Sequence, residues 1–134
     1  MTRAFLDSNI LVYAFSDDAK AERALVLLQT ATAIGVQTLN EFTNVSRRKA
    51  KREWPVVEAQ LTQLRQLFPN PIVVDIDVHV DGVRVAKRYD LQLWDGMIVA
   101  AALKSGCDVL WSEDMHNGLI VDQRLQILNP FRAN

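Results

Sequence analysis

The chain has 134 residues, a length typical of one folded domain and short for two. Apolar residues make up 49% and charged residues 23%, which excludes a disordered chain, a collagen-like fibre and a coiled coil. The net charge of −1, from 15 basic and 16 acidic residues, gives by itself no indication of a nucleic-acid partner. We therefore expect residues 1–134 to form a single domain.

The apolar runs and the single cysteine predict where the chain is found. The longest runs, 10–15 and 97–103, are far shorter than the roughly 20 residues of a membrane-spanning helix. Asp7 interrupts the N-terminal segment before a secretory signal can form. Cys107 has no second cysteine with which to form an internal disulfide, so we expect a reducing, cytoplasmic environment and no membrane partner.

Short apolar runs alternate with longer amphipathic stretches along the chain. The predicted strands are 3–6, 33–37, 72–74 and 108–111, with two possible short strands at 119–121 and 125–128. The predicted helices are 8–15, 19–31, 38–52, 55–68, 78–89 and 94–104. This alternation is typical of an α/β fold, a three-layer α/β/α arrangement with a central, mainly parallel sheet.

Helix-start signals place several of these boundaries. Asp17 and Asp18 are candidate N-caps for the second helix, and Pro55 suits the first turn of the fourth. Thr38 and Glu41 have the spacing of a capping box, which predicts that the third helix begins at Thr38.

Carboxylates follow several of the predicted strands. Asp7 comes directly after the first strand, and Glu113 and Asp114 follow the strand at 108–111. Glu41 and Asp95 lie in the predicted first turns of two helices. Because ligands of parallel sheets bind beyond the carboxyl ends of the strands, we expect these acids at one edge.

Each acid also has a purely structural explanation. Glu41 completes the capping box, Asp95 interacts favourably with a helix dipole, and Asp7 or Asp114 can begin a turn. Four coincidences at one edge are less plausible than one. Carboxylates about 4 Å apart repel by roughly 4 kcal/mol per pair at an effective dielectric near 20, and a hard divalent cation removes that repulsion. Oxygen ligands favour Mg²⁺ or Mn²⁺.

Three other kinds of site are less well supported. A zinc site would need His79, His116 and Cys107, which lack close ligand spacing. A phosphatase or phospho-acceptor domain also places an acid after its first strand, but its second acid, two residues on, is Asn9 here. A non-catalytic binding module has no use for four mutually repelling acids. The last two remain as alternatives.

The residues around these acids resemble PIN-domain ribonucleases and, more narrowly, VapC-type toxins of bacterial toxin–antitoxin pairs. The resemblance extends over residues 3–131 and depends on four segments in order and on a closing segment similar to the family's C-terminal strand. The four are 5–11 (FLDSNIL), 39–42 (LNEF), 94–102 (WDGMIVAAA) and 110–115 (LWSEDM), and the closing segment is 127–131 (ILNPF).

The resemblance implies a divalent-metal-dependent endoribonuclease that hydrolyses RNA phosphodiesters by attack of a metal-activated water. It implies four catalytic, metal-binding acids, which are Asp7, Glu41, Asp95 and Asp114. Ser112 matches the hydroxyl two residues before the last acid, and Asn9 is a second supporting residue. Two features depart from the pattern. Gly96 stands where alanine is common, and Glu113 competes with Asp114 as the ligand.

The resemblance also implies partners. These are an RNA substrate, a cognate antitoxin protein that covers apolar surface of 10–15 and 21–28, and a second copy in a homodimer. The dense basic run is a candidate RNA-binding surface, formed by Arg47, Arg48, Lys49, Lys51 and Arg52. A solvated helix face explains the same run equally well, as it does the later cluster of Arg84, Lys87 and Arg88.

Two tryptophans flank the predicted acidic site. Base stacking on Trp94 or Trp111 is conceivable, but packing beneath the site is the favoured interpretation. Asp90, shortly before Asp95, is interpreted as a solvated helix end.

Overall fold

A computed structural model describes residues 2–132. The strands are β1 (Ala4–Leu6), β2 (Val109–Trp111), β3 (Ile120–Val121) and β4 (Leu125–Leu128). The helices are α1 (Ser8–Ala14), α2 (Ala21–Thr30), α3 (Val36–Arg48), α4 (Trp54–Leu67), α5 (Ile76–Tyr89) and α6 (Leu93–Lys104). Within residues 2–132, none of the helices has the length and apolar character needed to cross a membrane.

The sheet has the order β1-β2-β4-β3, parallel except for the antiparallel pair β3–β4. Neighbouring residues of β1 point to opposite faces, because side chains alternate along a strand. Phe5 packs against α5 and α6 together with Val85 and Ile98, whereas Leu6 packs against the other helices together with Ile10 and Phe42. The predicted three-layer α/β/α fold with a mainly parallel sheet is confirmed.

The predicted strands 33–37 and 72–74 are wrong as continuous strands. Only two isolated parallel bridges form there, Phe5 with Ala33 and Gly35 with Ile72. Helix α3 already begins at Val36, because Gly35 is its N-cap and donates its backbone N–H to Thr38 Oγ1 at 3.2 Å. The segment after Ile72 forms no strand before α5 begins.

Several predicted helix ends shift for local reasons. Thr38 lies in the first turn of α3 instead of capping it, so Glu41 is in the second turn and completes no capping box. Helix α3 ends at Arg48, four residues early, and Lys51 just beyond it has a positive φ of 57°. Helix α5 begins two residues early because Asp75 Oδ1 accepts the Val78 backbone N–H at 2.8 Å.

Other capping expectations have mixed outcomes. Helix α2 begins after Lys20 without a side-chain cap, so neither Asp17 nor Asp18 is its N-cap. Pro55 does lie in the first turn of α4. Asp90 is the exposed, left-handed C-cap of α5 (φ 54°), as expected for a solvated helix end.

Helices α5 and α6 cross at two glycines. A Cβ on Gly96 would lie 2.5 Å from the Gly82 carbonyl oxygen, and one on Gly82 would lie 2.6 Å from Met97 Sδ. Both glycines are buried. The close contact fixes the first turn of α6, which carries Asp95.

Candidate active site

Asp7 follows β1 directly and is the N-cap of α1. Its Oδ1 accepts the backbone N–H of Ser8 at 2.7 Å. Its Oδ2 accepts hydrogen bonds from Ser112 Oγ at 2.7 Å and from Asn9 Nδ2 at 3.3 Å. Three donors therefore hold the side chain, and the residue is only 3% exposed.

The electrostatics show that the four predicted acids are neighbours. The pKa of Asp7 is raised to about 6, first by burial and then by the charges of Asp95 and Asp114, although the hydrogen bonds from Ser112 and Ser8 lower it. The pKa of Glu41 is raised to about 7, first by burial and then by the charges of Asp7, Asp95 and Asp114. Four separate segments therefore bring their carboxylates to one edge of the sheet.

Asp95 lies in the first turn of α6, as predicted. Burial raises the pKa of its carboxyl, and the nearby charge of Asp114 raises it further. Glu41 approaches the same point from α3, half-buried and one turn further along its helix than predicted.

Asp114 and Glu113 point to different surroundings. Asp114 Oδ2 accepts a hydrogen bond from Asn9 Nδ2 at 3.2 Å, so Asn9 connects Asp114 to Asp7. Glu113 instead accepts a hydrogen bond from Tyr13 Oη at 2.6 Å and forms an ion pair with Lys20. This arrangement leaves Asp114, and not Glu113, beside the other acids.

Tyr13 and Lys20 hold Glu113 away from the site, which sequence reasoning missed. Burial raises the pKa of Glu113, but the hydrogen bonds from Lys20 and Tyr13 lower it more, so it stays below its usual value. The ammonium of Lys20 also lies 4.9 Å from the centroid of the Tyr13 ring. Nothing in the spacing of these residues indicated the contact, since they come from α1, the loop before α2 and the loop after β2.

Ser112 connects two of the acid-bearing segments through hydrogen bonds. It is fully buried, donates to Asp7 Oδ2, and accepts the Met115 backbone N–H at 3.3 Å. Its hydroxyl therefore joins Asp7 to the turn that carries Asp114. Asn9, the other supporting residue, also accepts the Glu113 backbone N–H at 3.3 Å.

The donor set suits a hard divalent cation. It consists of carboxylate oxygens, and burial first and mutual repulsion second raise the pKa values of Asp7, Glu41 and Asp95. No three His, Cys, Asp or Glu side chains within residues 2–132 are already at metal-binding spacing, so the acids converge without forming a finished cage. His79 and His116 are exposed and Cys107 is buried beside Ser105, with no cluster among them.

The basic run divides into structural and exposed residues. Arg52 is half-buried and donates to Val12 O at 3.1 Å, to Ser46 Oγ and to Gln60 Oε1, so it stabilises the fold. Arg47 donates to the Arg52 carbonyl at 2.8 Å. The exposed members are Arg48, Lys49 and Lys51. In the later cluster, Arg84 is paired with Asp81 and Asp122.

The tryptophans differ from expectation. Trp111 is half-buried against the core, as expected, with the Arg23 guanidinium 5.7 Å from its ring centroid. Trp94 is 57% exposed, so the expectation that it packs beneath the site is wrong. Trp94 is the second residue of α6, whereas Gly96 and Met97 make the contact with α5. Trp54, not considered from the sequence, is also exposed.

Comparisons with known proteins agree with this geometry. Residues 4–116 match the model of the PIN domain family. A toxin–antitoxin complex from Klebsiella pneumoniae superposes with a TM-score of 0.72 at 22% identity, covering 97% of this chain and 99% of that one. The toxin VapC20 of Mycobacterium tuberculosis, described as cleaving the sarcin–ricin loop, gives 0.68 at 17% identity, covering 83% and 89%.

A third similar structure is VapBC2 from Rickettsia felis, bound to a DNA fragment from its promoter. It superposes with a TM-score of 0.62 at 18% identity, covering 96% of this chain and 98% of that one. No curated protein matches the chain by sequence. At these identities the structural likeness establishes the fold alone.

Proposed function

The chain belongs to the PIN domain family, and on that premise we propose that it is a divalent-metal-dependent endoribonuclease, the toxin of a toxin–antitoxin pair. The observation that carries the proposal is the convergence of Asp7, Glu41, Asp95 and Asp114, with the pKa values of Asp7 and Glu41 raised to about 6 and about 7. Such an arrangement is unfavourable without a cation.

The residues divide the work by position. Asp7, Glu41, Asp95 and Asp114 would hold Mg²⁺ or Mn²⁺, while Ser112 and Asn9 orient the carboxylates of Asp7 and Asp114. A bound divalent cation supplies charge stabilisation at the phosphodiester and a water molecule of lowered pKa. Once ionised, the four carboxylates repel the phosphate groups of RNA, so the RNA backbone binds beside them only when the cation is present.

The nuclease assignment is tested by replacing single acids. Asp7→Asn and Asp95→Asn should reduce RNA cleavage at least 100-fold in Mn²⁺, because each removes an ionised ligand while keeping the side-chain shape. Asp17→Asn, an exposed acid outside the site, is the matched control and should cleave normally. Gel analysis of an end-labelled RNA gives the rates. Full cleavage by Asp7→Asn would refute the assignment, and phosphate release from small esters without RNA cleavage would favour a phosphatase.

The toxin assignment is tested in cells. Induction should arrest growth and create new RNA 5′ ends, and co-expression of the small protein encoded beside the gene should restore growth. Helix α2 exposes Leu25 and Val26, apolar side chains available to an antitoxin. We further propose a homodimer acting in the cytoplasm. Growth arrest by Asp95→Asn equal to that of the unmodified chain would contradict toxicity through cleavage.

A further inference from the structure

A groove of about 460 Å³ runs along α3 and meets the start of α4. Its lining combines one indole, two guanidinium groups and two side-chain amides, supplied by Asn40, Thr43, Asn44, Arg47, Arg48 and Trp54. The volume lies within the range of small-molecule sites in proteins. There is no acidic residue in this lining, in contrast to the neighbouring carboxylate site.

Trp54 is fixed in place although it is exposed. It is the first residue of α4 and is 51% exposed. The Arg47 guanidinium lies 4.6 Å from its ring centroid and is itself anchored by the Arg52 carbonyl at 2.8 Å. An aromatic ring held in position before a ligand arrives loses little conformational entropy on binding. The indole is therefore suited to stacking with a planar ring.

The groove is continuous with the acidic site along one helix. Glu41 directly follows Asn40, and Asn44 lies three residues further on, where it neighbours Glu41 on the helix surface. Arg48 follows Glu41 by seven residues, about 10 Å along the axis. A strand bound at the acids can therefore extend into the groove.

We propose that the groove is a nucleotide subsite for single-stranded RNA. One base stacks on Trp54, the amides of Asn40 and Asn44 hydrogen-bond its edge, and Arg48 contacts a phosphate. This inference rests on the proposed function and adds a binding position outside the scissile bond. An anionic strand with planar bases satisfies the guanidinium, the amides and the indole together, whereas an apolar polypeptide segment would leave the amides and the guanidinium unpaired.

The test measures binding of the full chain to a fluorescein-labelled single-stranded RNA 12-mer by fluorescence anisotropy. Ca²⁺ replaces Mg²⁺ for every variant, so that the acids carry a cation, and gel analysis of the same samples establishes that the 12-mer stays intact. Trp54→Ala should weaken binding about tenfold without changing the salt dependence, and Trp54→Phe should retain most of the affinity. Arg48→Ala should lower the slope of log K against log salt by about one.

Matched controls come from α4 outside the groove. Leu67→Ala removes a similarly exposed apolar side chain, and Arg65→Ala removes an exposed cation, so both should bind like the unmodified chain. Thermal unfolding of each variant establishes that it is folded. A second assay follows RNA cleavage in Mg²⁺ and reports on the proposed function separately.

The outcomes separate the two proposals. Unchanged RNA affinity in Trp54→Ala overturns the subsite even if the chain cleaves RNA. Loss of affinity in Trp54→Ala supports the subsite even if the chain cleaves nothing, in which case only the nuclease proposal falls. Two other results overturn the subsite. One is an equal loss of RNA affinity in Trp54→Ala and Leu67→Ala. The other is a groove variant that binds RNA normally but no longer binds a polypeptide partner.

Discussion

The carboxyl of Asp7 is buried, which disfavours its charged form, and this burial predicts how stability responds to pH. Its folded pKa of about 6 lies above the ordinary 3.8, so the folded state holds a proton that the unfolded state has released. Without metal, the contribution of Asp7 to stability should therefore be full below pH 3.8, fall as pH rises to about 6 and stay constant above that. The shift corresponds to an upper bound of about 3 kcal/mol. Urea unfolding in EDTA at pH 4 and pH 7.5 measures it.

Asp7→Asn is the control for this prediction. Removing the ionisable group should leave the contribution of half-buried Glu41, whose pKa is raised to about 7 in part by the charge of Asp7. The variant should also be more stable than the unmodified chain at pH 7.5 in EDTA. An equal loss of stability between pH 4 and pH 7.5 in both proteins would show that Asp7 is not the group responsible.

At the residue scale, sequence identified acids better than their orientation. Asp7 and Asp114 could be placed because they follow strands, but the choice between Glu113 and Asp114 depends on Tyr13 and Lys20, which are remote in sequence. The basic run is equally ambiguous. The sequence does not distinguish an arginine whose guanidinium binds a backbone carbonyl, as in Arg52, from an arginine exposed to solvent.

At the element scale, long amphipathic patterns predicted the helices, whereas short strands were less certain. The stretch at 33–37 has the composition of a strand, but a local side-chain contact from Thr38 to the Gly35 N–H starts α3 inside it. Residues 72–74 meet the sheet at a single bridge through Ile72. In a stretch of three to five residues the apolar pattern cannot distinguish an isolated β-bridge from a continuous strand, because one buried side chain is enough to produce the pattern in both cases.

Gly96 allows the α5–α6 crossing, and Gly96→Ala should disturb it. Alanine stabilises a helix interior by about 1 kcal/mol relative to glycine. Its Cβ at this position, however, would lie 2.5 Å from the Gly82 carbonyl oxygen and 3.0 Å from Ala86 Cβ. Overpacking of this kind costs about 1–3 kcal/mol, so the net effect should be destabilising by up to about 2 kcal/mol. The first turn of α6 should move, and Mn²⁺ affinity should fall with it. Urea unfolding and calorimetric titration measure the two effects.

Gln63→Ala on the exposed surface of α4 is the comparison for Gly96→Ala. It adds the same residue to a helix without a close contact and should change stability by less than about 0.5 kcal/mol. Gly96→Ala with stability and Mn²⁺ affinity equal to those of the unmodified chain would mean that α5 can move aside freely, and that the glycine does not position Asp95.

At the scale of the whole molecule, the net charge of −1 conceals two unlike regions. Of the 16 acidic residues, setting aside the four proposed ligands leaves 12 against 15 basic residues, a charge of +3 for the remainder. The acids are concentrated at one edge of the sheet, and the groove beside them is lined by Arg47 and Arg48. A divalent cation at the acids would reverse the sign of the net charge and make the molecule more compatible with a polyanion.

This separation predicts that metal stabilises the fold through the acids alone. A ligand at 100 times its dissociation constant adds about 2.7 kcal/mol, so saturating Mn²⁺ should raise the melting temperature by roughly 10 °C at pH 7.5. Asp95→Asn should lose most of this increase, whereas Asp77→Asn, an exposed acid on α5, should retain it. Differential scanning calorimetry with Mn²⁺ and with EDTA measures the effect. Equal stabilisation of both variants would indicate cation binding elsewhere and would favour a non-catalytic module.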